Sequence, residues 1–186
     1  MDQRKNIFVI TGGPGFGKTA LIDELRRIGY LCSGEFARDM IERQQKIGGD
    51  LLPWKKPKRF QEEILRLRKD FYESVPDQTI AFADRGIPDQ LAFARYKGFG
   101  TPEILKMSSE KYRYAQHVFV TPPWHKIFVN DAIRSETFEE AVLIHLSILE
   151  TYSDLNYQII ELPLTSVCER IEFILQTIQK LSTNEH

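Results

Sequence analysis

Along the chain, short runs of consecutive apolar residues alternate with stretches in which apolar residues recur every three or four positions. The runs predict buried strands and the recurrences predict amphipathic helices. Ile7–Ile10 is the first run; a glycine-rich turn follows it, then a helical stripe at Leu21, Leu25 and Ile28. After Gly29 come a short strand candidate, Tyr30–Ser33, and a helix from about Glu35 to Lys46 that stops at Gly48 and Gly49. Residues 48–58, rich in Gly, Pro and Lys, read as a loop. Phe60, Ile64, Leu67 and Phe71 then mark a long helix that Pro76 closes. A second buried strand, Thr79–Ala83, ends at Asp84 ahead of a helix opening near Pro88, a favoured first-turn proline. A short helix is expected within 101–114, and further core strands at His117–Val120 and Tyr157–Leu162. Thr137 and Glu140 have the spacing of a capping box, opening a helix with the stripe Phe138, Val142, Leu146 and Leu149. Ser166 and Glu169 open the last helix in the same way, with Val167, Ile171, Ile174, Leu175 and Ile178 on its buried side. Strands joined through helices predict an α/β fold: a mostly parallel sheet with helices on both faces. No repeat or linker interrupts the pattern, so one domain over residues 1–186 is expected.

The turn after the first strand reads Gly12-Gly13-Pro14-Gly15-Phe16-Gly17-Lys18-Thr19, which fits G-x-x-x-x-G-K-[ST] and lies between a strand and a helix as that motif must. Average residue usage gives the string by chance about 0.006 times in a chain of this size. Its glycines let successive backbone N–H groups turn inward around phosphate oxygens, and the following helix adds its positive end. Residues 12–20, through Ala20, are the expected nucleotide-binding segment. Lys18 is expected to reach the β- and γ-phosphates, and Thr19 to offer a hydroxyl to Mg²⁺.

Composition narrows what such a loop serves. Lys and Arg number 25 against 26 Asp and Glu, a formal charge of −1, with 42% hydrophobic residues. That balance speaks against a nucleic-acid or membrane-surface protein while leaving room for a local anion pocket. No run approaches the ~20 apolar residues of a membrane span, and Ile7–Ile10 is too short for a signal peptide, so a cytoplasmic protein is expected. The two cysteines, Cys32 and Cys168, lack metal-site spacing and are expected to be small core residues. The chain has no N-K-x-D or T-K-x-D element for reading guanine, and Asp84 is followed by Arg85 rather than by a second acid. Small GTPases and mechanical ATPases are thereby disfavoured. A small-molecule kinase needs a phosphate loop, acids near the acceptor and a lid bearing positive charge.

Three more sites fit that requirement. Glu35 stands just past the second strand, where the carboxyl ends of parallel strands open onto a crevice, and could accept a proton from an acceptor hydroxyl; Arg38 follows one turn on. A first-turn acid that favours the helix dipole is the alternative. Asp84 ends an inner strand and could organise Mg²⁺ or act as the base, with Arg85 anchoring an acidic group of the substrate. In the segment 121–137, expected to form a lid, Arg134 is the first candidate to stabilise charge on a transferred phosphoryl and Lys126 the second. His145 reads as a packed or half-exposed histidine, and Trp54, beside prolines, as a local packing residue.

Taken together, the loop Gly12–Thr19, Glu35-Phe36-Ala37-Arg38, Asp84-Arg85-Gly86 with Asp89, Asp131-Ala132-Ile133-Arg134 and Leu162-Pro163 resemble one family. It is the group of AAA-type ATP-binding domains that includes the ribosylnicotinamide kinase domain of the bacterial NAD regulator NadR. The resemblance implies a three-layer phosphate-loop kinase fold, a five-stranded parallel sheet with the loop strand central, and ATP binding. The expected activity is ATP- and Mg²⁺-dependent transfer of the γ-phosphoryl group to a small hydroxyl-bearing acceptor, such as a nucleoside or nucleoside-like cofactor precursor. Lys18, Glu35, Asp84 and Arg134 would be catalytic, Thr19 and Asp84 would hold the metal, and Glu35, Arg38 and Arg85 would contact the acceptor. The alternative is a nucleotide-dependent regulatory ATPase or switch module, which the single lid arginine favours.

Overall fold

The computed structural model describes residues 4–129 and 136–184. Five strands form one all-parallel sheet in the order β2-β3-β1-β4-β5: β1 Ile7–Thr11, β2 Leu31–Cys32, β3 Ala81–Asp84, β4 His117–Val120 and β5 Gln158–Glu161. The strand that leads into the glycine-rich loop is therefore central. Alternate residues of β1 go to opposite faces, as the two-residue period of a strand requires. Ile7 and Val9 join a core with Leu91, Ile144, Ile148 and Tyr152, whereas Phe8 and Ile10 join one with Leu21, Leu25, Ile171 and Ile174.

The first of these faces is covered by α4 (Ile87–Tyr96), α5 (Glu103–Lys111) and α6 (Phe138–Asp154), together with residues of α3 (Pro57–Ser74). The second is covered by α1 (Lys18–Arg27) and α7 (Val167–Asn184). A third, smaller cluster joins α3 to α2 (Phe36–Lys46) through Met40, Ile41, Phe60 and Ile64, and Leu52 from the preceding loop is buried in it. No helix among the described residues is long and apolar enough to cross a membrane.

Both expected capping boxes form. The Thr137 hydroxyl accepts from the Glu140 N–H (3.2 Å) and the Glu140 carboxylate accepts from the Thr137 N–H (2.8 Å). Ser166 and Glu169 exchange the same pair at 3.3 and 3.0 Å. Each satisfies backbone donors that a helix start otherwise leaves open.

Five expectations are corrected. On α6 the buried residues are Ala141, Ile144, His145, Ile148, Thr151 and Tyr152, while Leu146 is 53% exposed. The helix is apolar on several sides, and the stripe of largest side chains is not the one facing the sheet. Ile28 lies past the end of α1 and is 41% exposed; Ile22 takes its place inside. Strand β5 is an edge strand with mostly exposed side chains rather than a core strand. Cys168 is exposed and Trp54 is 60% exposed, so neither is the packing residue expected.

Candidate functional site

The glycine-rich loop leaves the carboxyl end of the central strand and closes onto the start of α1 at Gly17. Three of its positions demand glycine, and at one of them, Gly15 (φ 78°), a Cβ would lie 2.6 Å from the Phe128 ring. Gly12, at φ 132°, lies so close to Thr121 that any side chain would collide with it; Gly17, at φ 82°, would put a Cβ 2.8 Å from Ile127. Thr121, the residue after β4, donates both its N–H (2.8 Å) and its hydroxyl (3.1 Å) to the Thr11 carbonyl. Lys18 is 4% exposed and its ammonium donates to the Gly13 carbonyl (2.7 Å).

Phe16, in the middle of the loop, is fully buried. Its ring lies 6.2 Å from that of Phe128, 5.8 Å from Phe138 and 5.9 Å from His145, and Phe128 meets Phe138 edge-on at 5.3 Å. The segment after β4 is thereby held against the loop by aromatic packing from α6, and Phe128 itself touches the Gly15 backbone. Lys126 is exposed in the 3₁₀ turn His125–Ile127. Arg134 lies outside the described residues, as does the Asp131-Ala132-Ile133 stretch before it.

On the acceptor side, strand register sets Asp84 beside Ile10, one residue before the central strand ends. Asp84 is 4% exposed; its N–H donates to the Ser33 hydroxyl (2.8 Å), and its Oδ1 has no hydrogen-bond partner. Burial pushes its carboxyl up to about 6, only partly opposed by the nearby Lys18 and Arg85 charges. Glu35, the residue before α2, accepts from the Thr19 hydroxyl (3.2 Å) and is near enough to raise Asp84 further. Lys18, Thr19, Glu35, Asp84 and Arg85 are therefore brought to one place. Arg38 instead donates to Glu42 one turn along α2 (2.9 Å).

Arg85 has a left-handed backbone (φ 65°), uncommon for a long side chain. It is held there by its N–H on the Ile10 carbonyl (3.1 Å) and by its guanidinium on Asp89 (3.0 Å), and it lies 5.2 Å over the Phe93 ring. Asp89, fully buried, also accepts from the Thr11 hydroxyl, the Gly86 N–H (2.7 Å) and the Tyr152 hydroxyl (2.7 Å). The sequence reading gave Asp89 no role, although its position three residues after Gly86 is that of a helix-capping acid. Arg170 of α7 and Trp124 were also missed, and both border a cavity of about 500 Å³ beside Gly17, Thr19 and Ala20. Arg170 stands next to Ile171 on the apolar stripe of its helix, which is the signal of a buried charge. A larger groove, about 790 Å³, runs between α1 and α7 on residues such as Ile28, Tyr30 and Leu175 and includes none of residues 12–19. Among the described residues no group of three or more His, Cys, Asp or Glu stands ready to hold a metal ion unaided.

A family model described as an AAA domain matches residues 7–170, and the chain belongs to that family. No curated protein matches it significantly. Of solved structures, a deoxyadenosine kinase from M. mycoides with dCMP and a flexible dCDP bound superposes with a TM-score of 0.65 at 15% identity, over 94% of this chain and 99% of that one. A NadR protein in complex with NR superposes with 0.60 at 19% identity over 91% of this chain; the present chain covers 49% of that protein's length. Shikimate kinase from Aquifex aeolicus gives 0.56 at 13% identity over 95% and 98%. At these identities the likeness is one of fold, and the fold is that of the phosphate-loop kinases, as the residue-level resemblance implies.

Two predictions follow from these buried charges. Asp89→Ala leaves Arg85, Thr11 and Tyr152 without their acceptor and is expected to lower unfolding free energy in urea by about 3–5 kcal/mol; a loss below about 1 kcal/mol would show that the network holds nothing in place. Between 3.8 and about 6 the folded chain keeps a proton on Asp84 that the unfolded chain has lost, so this group makes stability fall as pH rises. His145, pushed down to about 4 from 6.5 chiefly by burial and then by Lys18, acts in the opposite sense: the unfolded chain binds the proton that the folded chain refuses. Asp84→Asn is expected to steepen the rise of Tm between pH 4 and 6.5 and His145→Gln to flatten it. Identical slopes in wild type and both variants would refute the assignment.

Proposed function

We propose that the protein is an ATP- and Mg²⁺-dependent kinase that transfers the γ-phosphoryl group to a hydroxyl of a small acceptor, a nucleoside or nucleoside-like cofactor precursor. The observation that carries this reading is Asp84, a buried carboxylate with an unpartnered oxygen at the mouth of the phosphate loop, opposite Glu35 on the Thr19 hydroxyl. Two acids in unlike surroundings around one lysine suit proton transfer and phosphate binding at a single place.

Each residue then has a role. Lys18 leaves the Gly13 carbonyl for the outer phosphate oxygens and neutralises the charge that grows during transfer. Glu35 or Asp84 takes the proton of the acceptor hydroxyl as its oxygen bonds to the γ-phosphorus, while the bond from that phosphorus to the bridging oxygen breaks and ADP leaves. Arg85, fixed by Asp89 and Phe93, steers the acceptor, and Arg38 lines its entrance. The Thr19 hydroxyl and the Asp84 carboxylate would hold a magnesium ion together with the bound nucleotide. When bound, that ion draws charge from the phosphates. Segment 121–137 acts as the lid and brings Arg134 over the γ-phosphate. The base and sugar of the nucleotide lie in the cavity beside Thr19, Ala20 and Trp124. The NadR-with-NR and deoxyadenosine kinase likenesses support an acceptor with a ribose-type hydroxyl. The aromatic clamp from Phe16 to Phe128 supports a second reading, a nucleotide-driven switch, because a loop that moves on binding must move the segment packed on it.

A screen of nucleosides, nucleotides and pyridine ribosides with γ-labelled ATP is expected to place label on an acceptor; label reaching only water would leave the switch reading. Lys18→Ala is expected to abolish transfer. Glu35→Gln is expected to lower kcat at least 100-fold while changing ATP affinity less than threefold, and unchanged kcat would return Glu35 to a helix-capping role.

A further inference from the structure

The last helix places a positive charge behind the phosphate loop. Arg170 is 2% exposed, its Nε and Nη2 have no hydrogen-bond partner, and no ion pair of the described residues includes it. Burial alone pushes its guanidinium below the usual arginine range, with no neighbouring carboxylate to restore it. The contacts it does make point to the site. A Cβ on Gly17 would come within 3.3 Å of its Nη1, and its guanidinium carbon lies 6.0 Å from the centre of the Trp124 ring. Arg170 forms part of the wall of the cavity that Gly17, Thr19 and Ala20 also line.

A buried guanidinium without an anion is costly, and the planar fork of arginine suits phosphate oxygens particularly well. Around Gly17 the chain supplies a helix N-terminus and this cation, and among the described residues no carboxylate pairs with Arg170. Lys18 serves the outer phosphates, and the cavity continues past Thr19 and Ala20, where sugar and base leave the loop. The phosphate nearest the ribose is then the one beside Gly17. We infer that Arg170 is a nucleotide-binding residue whose counter-charge is this first phosphate of the bound nucleotide. The inference rests on the phosphate loop holding a nucleotide, and it stands whether phosphoryl transfer or switching is the activity.

Two consequences separate this role from a structural one. Before nucleotide binds, the unpaired charge weakens the fold; after binding, it holds the ligand. Arg170→Met keeps the aliphatic packing and removes the charge, so it is expected to leave the Tm of the ligand-free protein unchanged or raise it. It should also weaken AMP, ADP and ATP by the same factor, 10- to 100-fold, in isothermal titration calorimetry. Arg170→Lys is expected to retain more affinity than the methionine variant. Equal affinities for wild type and Arg170→Met would overturn the inference while leaving the phosphate-loop reading intact. So would a loss confined to ATP, which would place the charge at the outer phosphates, or a lower ligand-free Tm without an affinity change, which would mark a packing residue. Failure of the wild type to bind any of the three nucleotides would overturn both.

Discussion

Asp89 is fully buried and accepts hydrogen bonds from the hydroxyls of Thr11 and Tyr152, the guanidinium of Arg85 and the N–H of Gly86. A carboxylate taken out of water is tolerated only when its oxygens are fully used, and here four donors arrive from three parts of the chain. Thr11 is the last residue of the central strand and the doorstep of the phosphate loop. Arg85 and Gly86 form the turn that follows Asp84, and Tyr152 belongs to the helix whose other end packs on Phe16. The left-handed backbone of Arg85 persists because this network over-determines it. Asp89 thereby adds a polar tie among the loop, the acid-ended strand and α6 to the β1–β3 ladder and the packing of Phe16 on Phe138.

The distribution of charge has the same logic. The whole chain carries −1, yet among the described residues the buried Lys and Arg are Lys18, Arg68, Arg113 and Arg170 against the acids Asp84 and Asp89, and burial pushes Asp84 toward its neutral form. Arg113 is used locally, on the Leu155 carbonyl (2.6 Å) and over the Tyr157 ring. The rest of this excess cation includes Lys18 in the phosphate loop and Arg170 behind it. Among the buried charges cations thus outnumber acids, which suits a pocket for an anion rather than a charged outer surface.

What was legible in the sequence is what local chemistry decides. The parallel strands, the loop after the first of them, both capping boxes and the first-turn proline of α4 all depend on residues within a few positions of one another. The misjudged features depend on distant ones. Leu146 and Ile144 are equally apolar, and only the position of α4 and the sheet decides which of them is buried. Strand β5 is apolar enough for a core, and only its place at the edge of the sheet exposes it. Asp89 and Arg170 are single polar letters among apolar neighbours; their partners lie as far away in sequence as Tyr152 and Gly17. A charged residue next to an apolar stripe is the one trace such sites leave in a sequence, and His145 on α6 and Arg68 on α3 leave the same trace.

The phosphate loop is gripped from two sides, and that has a thermodynamic consequence. On the sheet side, Thr121 closes on the Thr11 carbonyl and Asp89 holds the Thr11 hydroxyl. On the outer side, Phe16 is locked among Phe128, Phe138 and His145. A ligand that changes the loop must therefore work against the packing of the segment after β4, and any partner that displaces that segment must change the loop's affinity for phosphate by the same free energy. In a kinase this linkage closes a lid when the donor binds; in a regulatory module it reports the nucleotide to a partner. The two readings share one physical device, and they differ in whether an acceptor hydroxyl meets Asp84 and Glu35 when nucleotide is bound.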